Sequence, residues 1–364
     1  MKSREIKDLI LLKNKSPFGR IIILTGARQT GKTTLARECF PSYSYLSVED
    51  PAVRAQYSAL TAAQWENIYP DAILDEVQKE PRLIESIKSV YDQFPDPKYI
   101  LLGSSQLLLL QKVKESLAGR CHIQEVYPLT LPELITLNWD ETVKPSFFQR
   151  YIKDGTLHVP YPSFILDPGH AQKQKWFDYY LYFGGYPALV TPGITDNERI
   201  GWLRDYVITY LERDVRDLAD FKNLEPFVKV QKLSAHMTGQ LVNYSALAKE
   251  AGITANTSRR FIQYLEISYQ TLLLQPWHKN LLKRMVKSPK LHYLDPGVHK
   301  AILQKTGDIT GHEFESAIVA ELYKQSKNSA FPLKSKPKKI LRIPGNKSIR
   351  ISKKYPGKSI NRSN

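Results

Sequence analysis

Cysteine is almost missing from this chain: Cys39 and Cys121 are the only two. Two thiols cannot build a metal cluster, and nothing calls for a disulfide, so a reducing, cytoplasmic compartment is the expected setting. Long apolar runs are missing too. No stretch approaches the roughly 20 residues that a membrane helix needs, so no membrane association is expected. The opening MKSREIKDLILLKNK has a short apolar stretch but no small-residue cleavage site, which argues against a signal peptide. Acid is missing from the last stretch, Pro332–Asn364, which carries eight Lys and three Arg. Without those 11, only 41 basic residues face 36 acidic ones, so the tail supplies most of the net charge of +16. A charge concentrated in a tail is a weaker nucleic-acid signal than a basic body.

The composition of the whole chain is ordinary for a globular protein, with 42% hydrophobic and 24% charged residues, and 364 residues suffice for two or three domains. Five short apolar segments come early: Arg20–Thr25, Tyr43–Val48, Ala72–Leu74, Tyr99–Leu102 and His122–Val126. Between them lie helical patterns such as Arg82–Phe94, where Leu83, Ile84, Ile87, Val90 and Tyr91 fall on one face. Strands alternating with helices predict an α/β fold with a parallel sheet covered on both faces.

The string Gly26-Ala27-Arg28-Gln29-Thr30-Gly31-Lys32-Thr33 fits G-x-x-x-x-G-K-[ST] in full, after one strand and before the helix that Thr34 opens. Glycines let the backbone curl so that its N–H groups face phosphates. Lys32 adds a point charge for the β- and γ-phosphates of ATP, and Thr33 offers a hydroxyl to Mg²⁺. At average residue usage this pattern arises by chance in roughly one chain in a hundred of this length. A second carboxylate site is expected at the C-terminal end of a neighbouring strand, and Ala-Ile-Leu-Asp75-Glu76 supplies it. Asp75 is assigned to Mg²⁺ and Glu76 to the attacking water. Ser104 or Ser105, after the fourth strand, is suited to sense the γ-phosphate, although a plain turn reads the same way. Arg120, just before the fifth strand, is placed either as a finger for a neighbouring subunit's nucleotide or as a helix cap.

GARQTGKTTLAR, ILDEVQ, LLGSSQ, SLAGR, YPLTLPEL, FGGYPALV and YLERDVRDL, in this order, resemble a widespread family of bacterial and archaeal AAA-type ATPases. The resemblance covers roughly residues 3–327. It implies a P-loop NTPase fold with strand order 5-1-4-3-2, then a C-terminal region containing a winged helix and a restriction-endonuclease-like fold. It also implies nucleotide-site roles for Lys32, Thr33, Asp75, Glu76, Ser104 or Ser105, and Arg120.

The expected division is a core at 1–135, an insertion or linker at 136–175, a helical region at 176–238, and a winged helix at 239–305. Phe183-Gly-Gly-Tyr-Pro187 offers glycines for close backbone approach or a simple turn. Tyr206 and Tyr210 read as core-facing, with Arg213 and Arg216 as candidates for nucleotide or subunit contact. Asn243 caps Tyr244–Ala251, Gly252 ends it and Thr254 caps the next helix, a helix-turn-helix pattern. Arg259 and Arg260 on the second helix, with Lys283, Arg284 and Lys287 in a wing, suit duplex DNA; a protein contact or lid fits the same pattern.

Glu313-Phe-Glu-Ser-Ala-Ile-Val-Ala-Glu-Leu-Tyr-Lys resembles the first helix of the nuclease-like domain, placed at 311–330, with Phe314, Ile318 and Leu322 expected partly exposed. The strands that should follow do not, and residues 331–364 read as disordered, either a polybasic tail or the product of a lost reading frame. Two functions fit: a slow Mg²⁺-dependent ATPase acting as a switch or remodeller, or a non-catalytic nucleotide-binding regulator.

Overall fold

The computed structural model describes residues 1–103, 113, 116–154, 167–211, 223–276 and 287–328. Ser104, Ser105, Arg213, Arg216, Lys283, Arg284 and everything after residue 328 lie outside them, as does the side chain of Tyr210.

After helix α1 (Ile6–Asn14), strand β1 (Ile21–Thr25) runs as IIILT with every residue buried. Such a run suits the centre of a parallel sheet. Then come α2 (Lys32–Cys39), β2 (Ser44–Ser47), α3 (Pro51–Ala59), α4 (Ala62–Ile68), β3 (Asp71–Asp75), α5 (Arg82–Gln93), β4 (Lys98–Gly103) and β5 (Cys121–Glu125). Among the described residues the five strands form one parallel sheet in the order β2-β3-β4-β1-β5, which is the expected order read from the other edge.

Alternate residues of β1 serve opposite faces. Ile21 and Ile23 pack with Leu83, Ile84, Ile87 and Val90 of α5, whereas Ile22 and Leu24 pack with Ile6, Ile10, Leu35 and Ala36 from α1 and α2. The apolar face anticipated for α5 is therefore the one it buries, and the helix stops one residue short of the expected end.

The stretch expected as an insertion or linker holds more structure than its irregular composition suggests. Helix α6 (Leu131–Ile135) precedes it, α7 (Phe147–Asp154) lies inside it, and α8 (His170–Phe183) starts six residues before the expected Trp176. A readable signal was present for α7. Ser146 accepts from the Gln149 N–H at 3.1 Å, and Gln149 Oε1 accepts from the Ser146 N–H at 2.8 Å. That is a capping box, S-x-x-Q.

Next come α9 (Asp196–Tyr206), a π-helical turn (Val207–Leu211), α10 (Glu225–His236), β6 (Gln240–Leu241), α11 (Tyr244–Ala251), α12 (Ala255–Ile267), β7 (Thr271–Leu274), β8 (Lys290–Tyr293) and α13 (Pro296–Leu303). The anticipated caps are in place: Asn243 Oδ1 accepts from Ala246 N at 3.0 Å, Thr254 Oγ1 from Thr257 N at 3.2 Å, and Gly252 is left-handed at φ 70°. Strands β6, β8 and β7 form an antiparallel sheet in that spatial order.

These C-terminal elements are not a separate body. Met1–Phe331 is one compact unit, and the FGGYP segment is its splice. A Cβ on Gly185 would come within 2.2 Å of the Leu129 carbonyl oxygen, and one on Gly184 within 1.9 Å of the Asp295 carboxylate. Leu129 N donates to Gly185 O at 2.6 Å, while Asp295 accepts from the N–H groups of Gly185, Gly297 and Val298 at 2.8–3.1 Å. Close backbone approach, the sharper reading of those glycines, is what the segment provides.

Helix α14 (Gly311–Asn328) leaves Phe314 45% exposed and Ile318 and Leu322 half-buried, as expected. Its buried face is the other one, carrying Ala317, Ala320, Glu321, Lys324 and Asn328 against the amino-terminal half. Polar residues on a helix ordinarily form a solvated face, so nothing in the sequence marks this one as buried.

Candidate nucleotide site

The loop after β1 is forced into its shape by its residues. Gly26 adopts φ 150°, and a Cβ there would meet the Val126 carbonyl oxygen at 2.1 Å. Gln29 is left-handed at φ 61°, a conformation costing about 1 kcal/mol for a non-glycine. Thr30 Oγ1 donates to Ala27 O at 2.9 Å and ties the turn together. Lys32 is 8% exposed, and its ammonium donates to the carbonyls of Gly26 and Ala27 at 2.9 and 2.8 Å. The cation therefore lies across the loop, at the N-terminus of α2, where the helix dipole favours anions.

Asp75 ends β3, one strand removed from β1, and the sheet brings it to Thr33. Thr33 Oγ1 donates to Asp75 Oδ2 at 2.7 Å, and the Glu76 N–H donates to Asp75 Oδ1 at 2.9 Å. Glu76 follows in the left-handed region at φ 61°, where its carboxylate accepts from the Gln78 amide. Strain at a single residue beside a ligand loop is typical of functional sites.

Tyr45 was invisible as a site residue in the sequence. Its hydroxyl donates to Asp75 Oδ2 at 2.9 Å, and burial together with the Asp75 charge pushes the phenol up to about 12. Its period-2 place on the strand beside β3 was the only available hint.

Further contacts reach the loop from far away in the chain. Tyr206 OH donates to Arg28 O at 3.2 Å and shares a 3.0 Å bond with Tyr186 OH, so this core-facing tyrosine also touches the phosphate loop. Beside Gly31 and Thr34 lies a cavity of about 480 Å³ walled by Arg4, Trp176, Pro187 and Val190. Lys2 sits over the Trp176 ring at 4.4 Å, and burial holds its ammonium below the usual lysine range.

The sheet thus brings the Gly26–Thr34 loop together with Asp75 and Glu76. Arg120 does not join them. Cys121 pairs with Ile21 at the start of β1, whereas the phosphate loop follows Thr25, about 13 Å further along the strand. Arg120 makes a two-pronged ion pair with Asp92 at 2.7 and 3.2 Å, so any finger role is toward a neighbouring subunit. Among the described residues no cluster of three His, Cys, Asp or Glu side chains is placed to hold a metal, and no helix is long and apolar enough to cross a membrane.

Residues 19–135 match a family described as an AAA domain, and residues 174–308 match a domain of unknown function, DUF8612. Two uncharacterized proteins, Mb2031c of Mycobacterium bovis and Rv2008c of Mycobacterium tuberculosis, are each 26% identical over 289 residues. The match covers 78% of this chain but 56% of each relative, so the chain spans little more than half their length. The Walker-type ATPase PABY2304 of Pyrococcus abyssi superposes with a TM-score of 0.52 at 14% identity, over 83% of this chain and 96% of that one. Together with the strand order and the phosphate loop, these matches support an α/β P-loop NTPase fold for the part of the chain that resembles an AAA domain.

Proposed function

We propose that this chain binds ATP with Mg²⁺ and hydrolyses it slowly to ADP and phosphate, as a switch or remodeller. The hydrogen bond from Thr33 to Asp75 carries the reading, because it joins two motifs 42 positions apart at one point of the sheet. The donor set fits magnesium: a hydroxyl, one carboxylate, and room for waters and phosphate oxygens instead of an all-protein cage. Thr33 and Asp75 would hold the ion, which when bound supplies charge to the β- and γ-phosphates. Lys32 and the loop N–H groups bind the phosphates, Tyr45 orients Asp75, and Glu76 orients the attacking water. The cavity walled by Trp176, Pro187 and Val190 suits an apolar, planar base.

The decisive comparison is the native chain against Glu76→Gln. Mg²⁺-dependent phosphate release by the native chain is expected, with Glu76→Gln binding ATP equally well and releasing none. Tight binding without turnover in both would leave the non-catalytic regulator as the correct reading.

Duplex DNA is the second partner in this proposal, and a specific surface supports it. On α12 the residues Asn256, Arg259, Arg260 and Gln263 are exposed, while Ser258, Phe261, Ile262 and Leu265 are buried. The order α10, β6, α11, α12, β7, β8 supports the winged-helix reading, and Arg259 stacks over Tyr244 at 5.0 Å. Log K for duplex DNA is expected to fall linearly with log salt, and Arg259→Ala with Arg260→Ala to lower the slope by roughly 0.9 per lost phosphate contact. Salt-independent retention would remove DNA from the proposal.

A further inference from the structure

The string YPLTLPEL has no role in the chemistry above, yet its Glu133 is fully buried. Its two oxygens are both engaged. Oε2 accepts from Thr130 N at 2.9 Å and caps α6. Oε1 accepts from Arg4 Nε at 3.3 Å, Glu5 N at 2.9 Å and Asn328 Nδ2 at 3.4 Å.

Arg4, 3% exposed, then spends the rest of its guanidinium on two carbonyls: Thr30 O of the phosphate loop at 2.9 Å and Tyr127 O beyond β5 at 2.7 Å. In a trans peptide the C=O and the following N–H point in opposite directions. Fixing Thr30 O from outside the loop therefore fixes the Gly31 N–H direction, one of the groups meant for the phosphates. Buried ion pairs add little net stability, and apolar replacements of both members are often neutral. A fold that needed only packing here would not require this pair; a loop that must present its N–H groups in one orientation does.

The geometry points to Arg4, clamped by Glu133, as a positioning residue that holds the phosphate loop in its nucleotide-binding shape. This rests on the ATP-binding reading above. Arg4 touches no reacting atom, so its loss weakens ground state and transition state alike, which raises KM and leaves kcat nearly unchanged.

The test uses the full chain and a fluorescent ATP analogue, with steady-state turnover in parallel. Arg4→Lys keeps the charge but cannot reach three acceptors with one ammonium. It is expected to weaken analogue binding at least 10-fold and to raise KM by a similar factor, with kcat within about 3-fold of native. Arg4→Ala alone leaves Glu133 buried and unpaired and can fail to fold. The double variant Arg4→Met with Glu133→Gln removes both charges, and circular dichroism checks that it folds. It should show the same loss of affinity. Native affinity in both variants would overturn the inference and leave the ATP reading standing. A fall in kcat at constant KM would overturn it as well, since that pattern belongs to a group acting in the reaction. Absence of analogue binding by the native chain would instead bring down the ATP reading and this inference with it.

Discussion

The phosphate loop and the seam around Glu133 differ in how their contacts are distributed along the chain. In the loop, Thr30 bonds Ala27, and Lys32 bonds Gly26 and Ala27, over three to six positions. In the seam, Arg4 reaches Glu133 over 129 positions, Leu131 N donates to Glu321 at 2.7 Å over 190, and Lys324 donates to Leu129 O at 3.2 Å over 195. The first kind of site is local geometry written in consecutive residues. The second is assembled by the whole fold, from polar groups that satisfy one another only once buried.

The two regions should therefore fail differently. Lys32→Ala removes the point charge of the loop, and its largest expected effect is on binding: ATP affinity falls below detection in calorimetry. Stability should hardly change, because a buried ammonium that loses its place also sheds its desolvation cost. A variant that bound ATP normally would overturn the site; one that unfolded would erase the contrast between loop and seam.

That contrast also explains what could be read in advance. The glycine spacing, the carboxylates ending β3 and the five apolar strands each rest on a local rule of turn chemistry or period. Caps at Asn243, Gly252 and Thr254 were readable for the same reason. Arg4, Tyr45 and Tyr206 carried no such signal, since nothing in their neighbours states that they end beside Asp75 or the loop. The exposure of Phe314, Ile318 and Leu322 on helix α14 was legible, whereas the face it buries was not, because Glu321, Lys324 and Asn328 look solvated until their partners at Leu129, Leu131 and Glu133 arrive. Helix α7, inside the stretch expected as a linker, carries a local signal of the same kind in its Ser146–Gln149 capping box.

Arg120 is the next largest test, and it adds a third region, the sheet end remote from the chain's own loop. If Arg120 serves a neighbouring subunit, Arg120→Ala lowers turnover by roughly 10³-fold with ATP affinity intact, and native specific activity rises with protein concentration. Asp92 pairs with Arg120 on the surface, so releasing it costs little stability. Unchanged turnover in a concentration series returns Arg120 to that surface ion pair.

Asp295 probes the seam alone. Its carboxylate caps α13 and holds Gly185 through three backbone N–H groups, all buried. Asp295→Ala is expected to cost about 3 kcal/mol in denaturant unfolding, because the stranded donors keep their desolvation penalty. ATP affinity, measured where the variant is still folded, should remain within a few-fold of native. A large loss of affinity at full folding would mean that coupling to the loop runs through the whole seam and not through Arg4 alone.

The smallest expected effect is a pH dependence that only the seam should show. Glu5 lies at its edge, donating its N–H to Glu133 and accepting from Gln149 Nε2 at 2.5 Å. Burial pushes its carboxyl up to about 7; the Gln149 bond opposes this, and the charges of Glu133, Glu321 and Asp8 add to the rise. The folded value lies above the unfolded one of about 4.5, so the folded state holds the Glu5 proton more tightly. Stability from this group is then complete below pH 4.5 and is lost as pH rises through 7. Glu5→Gln, which keeps the shape and removes the charge, should flatten that part of the curve. Between pH 5 and pH 8 the native melting temperature is expected to fall relative to that of Glu5→Gln, with the variant the more stable at pH 8. Parallel curves for the two proteins across that window would show that Glu5 titrates as an ordinary surface carboxylate and that the seam is wetter than its burial implies.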